Sequence, residues 1–225
     1  MKDCCIGERK CMIYEGSGPV LIQPVMEKEA DALDEEVRYI RNAVGEDFML
    51  AAFVTKDWNA ELSPWKAPGV FGDGDFAGGA DDTLRYLVRE LVPYLNFEYG
   101  LGPDVKWAVG GYSLAGLFAL YCTYRTDLFT TVAAASPSVW FPGWIEFVRE
   151  NSTLNRAVYL SLGEKEEKTG NPVLAAVGDN IREMSDIYAH SPLIYASTLE
   201  WNEGNHFREP GIRTARAFAW AVKHL

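Results

Sequence analysis

A serine, a histidine and a group of glutamates are the residues of this chain whose types and order could do covalent chemistry. Ser113 lies in VKWAVGGYSLAGLFALY, with Gly111 before it and Ala115 and Gly116 after it. His206 lies in EGNHF, and Glu164, Glu166 and Glu167 lie between the two in SLGEKEE. Serine alone is a poor nucleophile: it needs a base to take its proton and a third group to orient that base. A nucleophile, a carboxylate and an imidazole brought together could therefore transfer an acyl group through a covalent intermediate.

Ser113 needs a sharp, crowded turn to hold its hydroxyl up. Val105, Trp107 and Val109 suit a buried strand, Gly110 and Gly111 relieve crowding where the chain must turn, and Leu114 to Tyr121 continues at helical density. This is close to the nucleophile elbow G-x-S-x-G, with Ala115 standing where the second glycine is usual. A small side chain suffices there for close helix-to-strand packing. The plainer reading of the same serine is a helix N-cap.

The other two histidines read as surface or capping residues, His190 after a helix and His224 near the last residue of the sequence. His206 follows the final strand in a loop with Gly204 and Asn205, where an α/β sheet collects functional groups. Serine, acid, histidine is also a known chain order for a triad. Glu164, Glu166 and Glu167 compete for the place of the acid, against a plain solvated charge run. Acyl transfer further needs two amide donors for the oxyanion. The expected ones are Leu114, directly after the nucleophile, and Met26, in the loop after a third strand. The stretch FGDGDFAGG lacks G-K-[ST] and is not read as a phosphate loop.

The alternation of elements around these residues is that of an α/β chain. Strands are expected at Met12 to Tyr14, Val20 to Val25, Phe48 to Thr55, Phe129 to Ala135, Ala157 to Leu162 and Leu193 to Glu200. Helices are expected at Glu27 to Val44, with Ala30, Leu33, Val37 and Ile40 apolar, from Asp81 to about Phe97 with a kink at Pro93, at Pro172 to Ala189 and from Pro210 onward. Lys56 to Gly79, rich in glycine, proline and tryptophan, reads as a long functional loop. The pattern implies a mostly parallel central sheet with helices on both faces. At 225 residues one domain spanning 1–225 is expected.

Composition limits the function classes. A formal charge of −11 without any basic run disfavours nucleic acid and anionic membrane surfaces as partners, and no stretch reads as a signal peptide or membrane span. Cys4, Cys5, Cys11 and Cys122 have no metal-site spacing and read as free thiols of a cytoplasmic protein; no metal or cofactor is expected.

GGYSLAGLFALY, SPSVWFPG, SLGEKEE and EGNHF together resemble the α/β-hydrolase esterase family that includes esterase D-like and enterochelin esterase-like enzymes. The resemblance runs over most of the chain from Val20. It implies an α/β-hydrolase fold without a large lid domain and a serine esterase acting on a small-molecule ester. In similar proteins the acid stands three residues beyond a glycine that ends its strand, which here selects Glu166. Many members carry aspartate there, and some work with a Ser-His dyad. DWNAELSPW resembles substrate-side segments of bacterial members, so Trp58, Trp65 and Trp140 are expected to wall the pocket. The alternatives are acyl transfer to a hydroxyl acceptor by the same triad, and a non-catalytic binding module on a hydrolase scaffold.

Overall fold

The computed structural model describes residues 1–45, 47–70 and 74–225, with Ala30 and Asp31 by their backbone alone. The start of the glycine-rich stretch, Phe71 to Asp73, lies outside the described residues. Strands β1 (Lys2–Ile6) and β2 (Arg9–Tyr14) form an antiparallel hairpin around Gly7, whose φ of 58° suits glycine. The sequence reading found only the end of β2, because the charges in KDCCI hide the alternation. β3 (Val20–Val25) is buried along its length, and α1 (Leu33–Val44), preceded by a 3₁₀ turn, buries Leu33, Val37 and Ile40 on one stripe.

After β4 (Met49–Val54) the supposed loop is a built segment. It holds α2 (Trp58–Leu62) and the small antiparallel pair β5 (Lys66–Ala67) and β6 (Phe76–Ala77). Asp57 caps α2 by accepting from Ala60 N–H, and Glu61 reaches back to the amides of Lys56 and Asp57. α3 (Ala80–Tyr86) passes through a π turn into α4 (Val92–Glu98), which contains Pro93 in its first turn. The expected kink is thus met by a widened turn just before a residue that cannot donate a helical hydrogen bond.

β7 (Trp107–Tyr112), α5 (Leu114–Cys122), β8 (Thr131–Ala135), α6 (Trp144–Glu150) and β9 (Ala157–Gly163) alternate as expected. The next helix is split into α7 (Pro172–Ala175) and α8 (Val177–Ala189), and β10 (Ala196–Asn202) begins three residues later than expected, before α9 (Pro210–Val222).

The main sheet has the order β1-β2-β4-β3-β7-β8-β9-β10, with only the two pairings of β2 antiparallel. One face is covered by α1 and α9, where Val37, Ile40, Phe218 and Val222 meet Leu21, Leu50 and Ala133. The other face is covered by helices including α5, all nine of whose residues are buried, with Val109, Val132, Trp144 and Met184 in the same core. Among the parallel strands, chain order runs outward in opposite directions on either side of the β3/β7 pair, from β3 to β4 and from β7 to β10. That is a topological switch point, and crevices for ligands open there at the carboxyl ends of parallel strands. Ser113 leaves β7 at that end. Among the described residues no helix is long and apolar enough to cross a membrane.

Candidate active site

Ser113 occupies φ 57°, ψ −121°, a backbone conformation that non-glycine residues adopt only under constraint. Three backbone bonds supply the constraint: Ser113 N–H donates to Ala135 O at 3.1 Å, and Ser113 O accepts from Ser138 N–H and Leu117 N–H at 3.0 Å each. Close packing beneath the turn explains its small residues. A Cβ on Gly111 would stand 2.6 Å from the Ala115 methyl, so alanine fits at 115 because glycine stands at 111.

The Ser113 hydroxyl lies 3.0 Å from His206 Nε2, and His206 Nδ1 lies 2.7 Å from Glu166 Oε2. The tautomer that satisfies both bonds carries its hydrogen on Nδ1, donates to the carboxylate and accepts from the serine. Of the three competing glutamates, Glu166 is the one at the ring. Glu167 is held in two bonds by Arg182 at 2.8 and 2.9 Å, which lowers its pKa, and Glu164 is exposed.

The other carboxylate oxygen of Glu166 is fixed from three sides. Oε1 accepts from Gly163 N–H at 2.7 Å, Ser136 Oγ at 2.9 Å and Arg213 Nη1 at 3.2 Å. Ser136 is itself held in the left-handed region at φ 41°. Side-chain exposure is 5% for Glu166 and 3% for Arg213, against 29% for His206. Glu166 is therefore buried and ion-paired, while the His206 ring reaches the cavity. Gly163 is required by this closeness, because a Cβ there would stand 2.6 Å from Gly204 O in the histidine's own loop.

Arg213 was not singled out from the sequence. It sits in the first turn of α9, where its guanidinium also donates to Tyr112 Oη at 3.1 Å and to Glu203 O at 2.9 Å. Tyr112 in turn donates to His206 O at 2.7 Å, and burial raises its pKa, keeping the phenol protonated. One buried cation thus ties together the ends of β7 and β8, the acid loop and the histidine loop. His190 and His224 take local roles: Nδ1 of each lies near a backbone carbonyl four residues back, and His224 stacks on Trp220.

Ser113, Leu114, His206 and Glu166 open on a cavity of about 520 Å³. Trp58, Phe76, Trp140, Leu174 and Val177 give it an apolar wall, and Phe207, 83% exposed, stands at its rim. Trp65 does not line it. Its ring packs on Phe141, Trp144 and Phe147, and its Nε1–H donates to Pro142 O at 2.9 Å, so the aromatic cluster behind the wall claims it. Met26 follows β3 as expected, but it is not part of the cavity lining, and its N–H donates to Glu29 Oε2 at 3.1 Å. A larger open groove, about 900 Å³, lies by residues 15–19 and 99–106 before β3 and β7; its Ser17 hydroxyl donates to Asp47 at 2.9 Å, but the hydrogen bonds from Ser17 lower the Asp47 pKa and make it a poor base, and no histidine lines the groove among the described residues, so it is set aside on chemistry. Among the described residues no group of three or more histidine, cysteine, aspartate or glutamate side chains is placed to hold a metal ion, and all four cysteines are free.

Solved structures share this architecture. The siderophore hydrolase EstA from Aspergillus nidulans superposes with a TM-score of 0.76 at 16% identity, over 96% of this chain and 90% of that one. An IroE-like serine hydrolase from Shewanella oneidensis gives 0.74 at 17% identity, over 96% and 75%. The enterobactin esterase FES from Shigella flexneri gives 0.67 at 17% identity, over 94% and 55%. These likenesses identify the fold as that of the α/β hydrolases, with no lid domain evident among the described residues. No curated protein sequence matches the chain. A family model described as "Putative esterase" matches residues 46–198, which include Ser113 and Glu166 and more than half of the chain. By that match the chain belongs to the esterase family.

Proposed function

We propose that the protein is a serine carboxylic ester hydrolase in which Ser113 is the nucleophile, His206 the general base and Glu166 the orienting acid. The observation that carries this reading is the continuous relay from Ser113 Oγ to His206 Nε2 at 3.0 Å and from Nδ1 to Glu166 at 2.7 Å. His206 takes the serine proton as Oγ attacks the ester carbonyl. The tetrahedral oxyanion is held by Leu114 N–H, the amide directly after the nucleophile. His206 then gives the proton to the leaving alcohol, and water cleaves the acyl-enzyme through the same base.

The aromatic faces of Trp58 and Trp140 suit an ester with a flat or apolar part. Siderophore-type esters are the first natural substrates to try, since the neighbouring folds include enzymes named for them. Four free thiols fit a reducing compartment such as the cytoplasm.

The test is covalent labelling with a fluorophosphonate together with turnover of p-nitrophenyl acetate. The label should fall on Ser113, and Ser113→Ala should lose both labelling and turnover, with kcat lower by roughly 10⁴-fold or more. Full activity in that variant would overturn the proposal. Ligand binding that needs neither Ser113 nor His206 would instead fit a binding module. Ester products formed with added alcohols would mark a transferase.

A further inference from the structure

Ser138 has no part in the relay described above, yet its hydroxyl lies 3.2 Å from Ser113 Oγ. It is 2% exposed, lines the cavity, and holds the elbow through its amide. Among the described residues, Ser113 Oγ is the only hydrogen-bond partner of that hydroxyl. The Ser113 hydrogen is committed to His206 Nε2, so the bond between the two hydroxyls runs from Ser138 Oγ–H to Ser113 Oγ. Both lone pairs of Ser138 then face no protein donor.

Acylation changes this arrangement at one atom. Once Ser113 Oγ is an ester oxygen, its lone pair is drawn into the acyl carbonyl and it accepts poorly. It also has no hydrogen left for His206. Ser138 Oγ and His206 Nε2, each within hydrogen-bond reach of the same oxygen, lose their partner in the same step. A buried hydroxyl without a partner is costly, and a water placed between the two groups satisfies both.

We infer that Ser138 is a catalytic residue of deacylation, holding the attacking water together with His206. This rests on the serine esterase reading. The water gives one hydrogen bond to His206 Nε2 and the other to Ser138 Oγ, which leaves an oxygen lone pair free for the acyl carbon. As the bond from water oxygen to carbon forms, one water proton passes to Nε2. Collapse of the tetrahedral intermediate breaks the bond from carbon to Ser113 Oγ, the proton on Nε2 moves to Oγ, and the carboxylic acid leaves. The role falls only on the second half-reaction, because during acylation no water is used.

The two half-reactions can be measured separately in wild type, Ser138→Ala and Ser138→Thr. With enzyme in excess over p-nitrophenyl acetate, nitrophenol release reports acylation, and intact mass after acid quench follows decay of the acetyl adduct on Ser113. Acylation in Ser138→Ala should stay within about threefold of wild type while the adduct decays roughly 10- to 100-fold more slowly, and threonine, which keeps the hydroxyl, should restore decay. Ser138→Cys, similar in volume but a weak hydrogen-bonding group, carries the same expectation if the alanine variant does not fold. Unchanged decay in the alanine variant, or an equal fall in both steps, would overturn the assignment. Nitrophenol release that persists undiminished in Ser113→Ala would overturn the esterase reading, and this one with it.

Discussion

Arg213 Nη1 lies 3.2 Å from Glu166 Oε1, the carboxylate oxygen that His206 leaves unused. The division of the two oxygens matters, since one binds the imidazole and the other binds the scaffold. With Oε1 saturated by Arg213, Ser136 and Gly163, Glu166 cannot rotate without breaking three bonds. The imidazole is thereby held at one angle toward Ser113.

Removing the cation should be costly twice over. Arg213→Met leaves Glu166 buried and unpaired, which is expected to cost about 3–5 kcal/mol in denaturant-unfolding experiments. In the protein that remains folded, kcat for p-nitrophenyl acetate should fall with KM little changed. Arg213→Lys keeps the charge and should recover part of both losses, whereas equal damage from lysine and methionine would argue that only packing matters.

Neighbouring glutamates should behave differently from one another. Glu166→Gln cannot stabilise an imidazolium and should lower kcat by roughly 10²- to 10⁴-fold. Glu167→Gln breaks a surface pair with Arg182 and should change stability by at most about 1 kcal/mol, leaving turnover near wild type. Steady-state kinetics on the two variants decides the matter, and a larger loss in Glu167→Gln would reassign the acid.

The tryptophans separate by where they pack. Trp140→Ala removes cavity wall, so KM should rise several-fold for aryl or long-chain acyl esters and less for acetate. Trp65→Ala empties the cluster of Phe141, Trp144 and Phe147 and should cost about 3 kcal/mol of stability instead. A chain-length series of p-nitrophenyl esters and a urea titration distinguish the two outcomes.

Stability should depend on pH through Glu36. Glu36 is buried beside Gln23, and burial raises its pKa from 4.5 to about 8. The folded state therefore binds a proton that the unfolded chain releases above pH 4.5, so stability falls as pH rises from there toward about 8 and then levels off. Gln23 Oε1, which has no donor among the described residues, is a ready acceptor for the protonated acid. Glu36→Gln should flatten this dependence and be the more stable protein at pH 8, by an amount on the order of a few kcal/mol, read from urea midpoints between pH 5 and 9.

What could be read from the sequence was whatever is encoded locally. The elbow shows itself because its glycines, serine and apolar helix are consecutive, and His206 because it is the one histidine in a loop after the last strand. Resemblance, not spacing, selected Glu166 from three similar neighbours; the reason lies in Gly163, whose bare backbone lets that side chain fold back onto its own strand end. Arg213 gave no signal, and Ser138 only its place in SPSVWFPG without a role, since each acts across a gap that only the tertiary fold closes. α2 did have one: Asp57 is a favoured N-cap residue directly before WNA, but Glu61 stands one position beyond the capping-box place, and the prolines and glycines that follow mask the helix.

Arg213 joins the acid to the first turn of α9, whose other face packs against α1 across the sheet from the cavity. During synthesis the nucleophile strand, the elbow and the acid loop are all made before that helix. They can adopt their local shapes, but the charge on Glu166 stays uncompensated until α9 docks. Hydrolytic activity should thus arise only once α9 docks, late in folding, and because α9 also buries one face of the sheet, activity and the sheet's protection from hydrogen exchange should be lost together on denaturation.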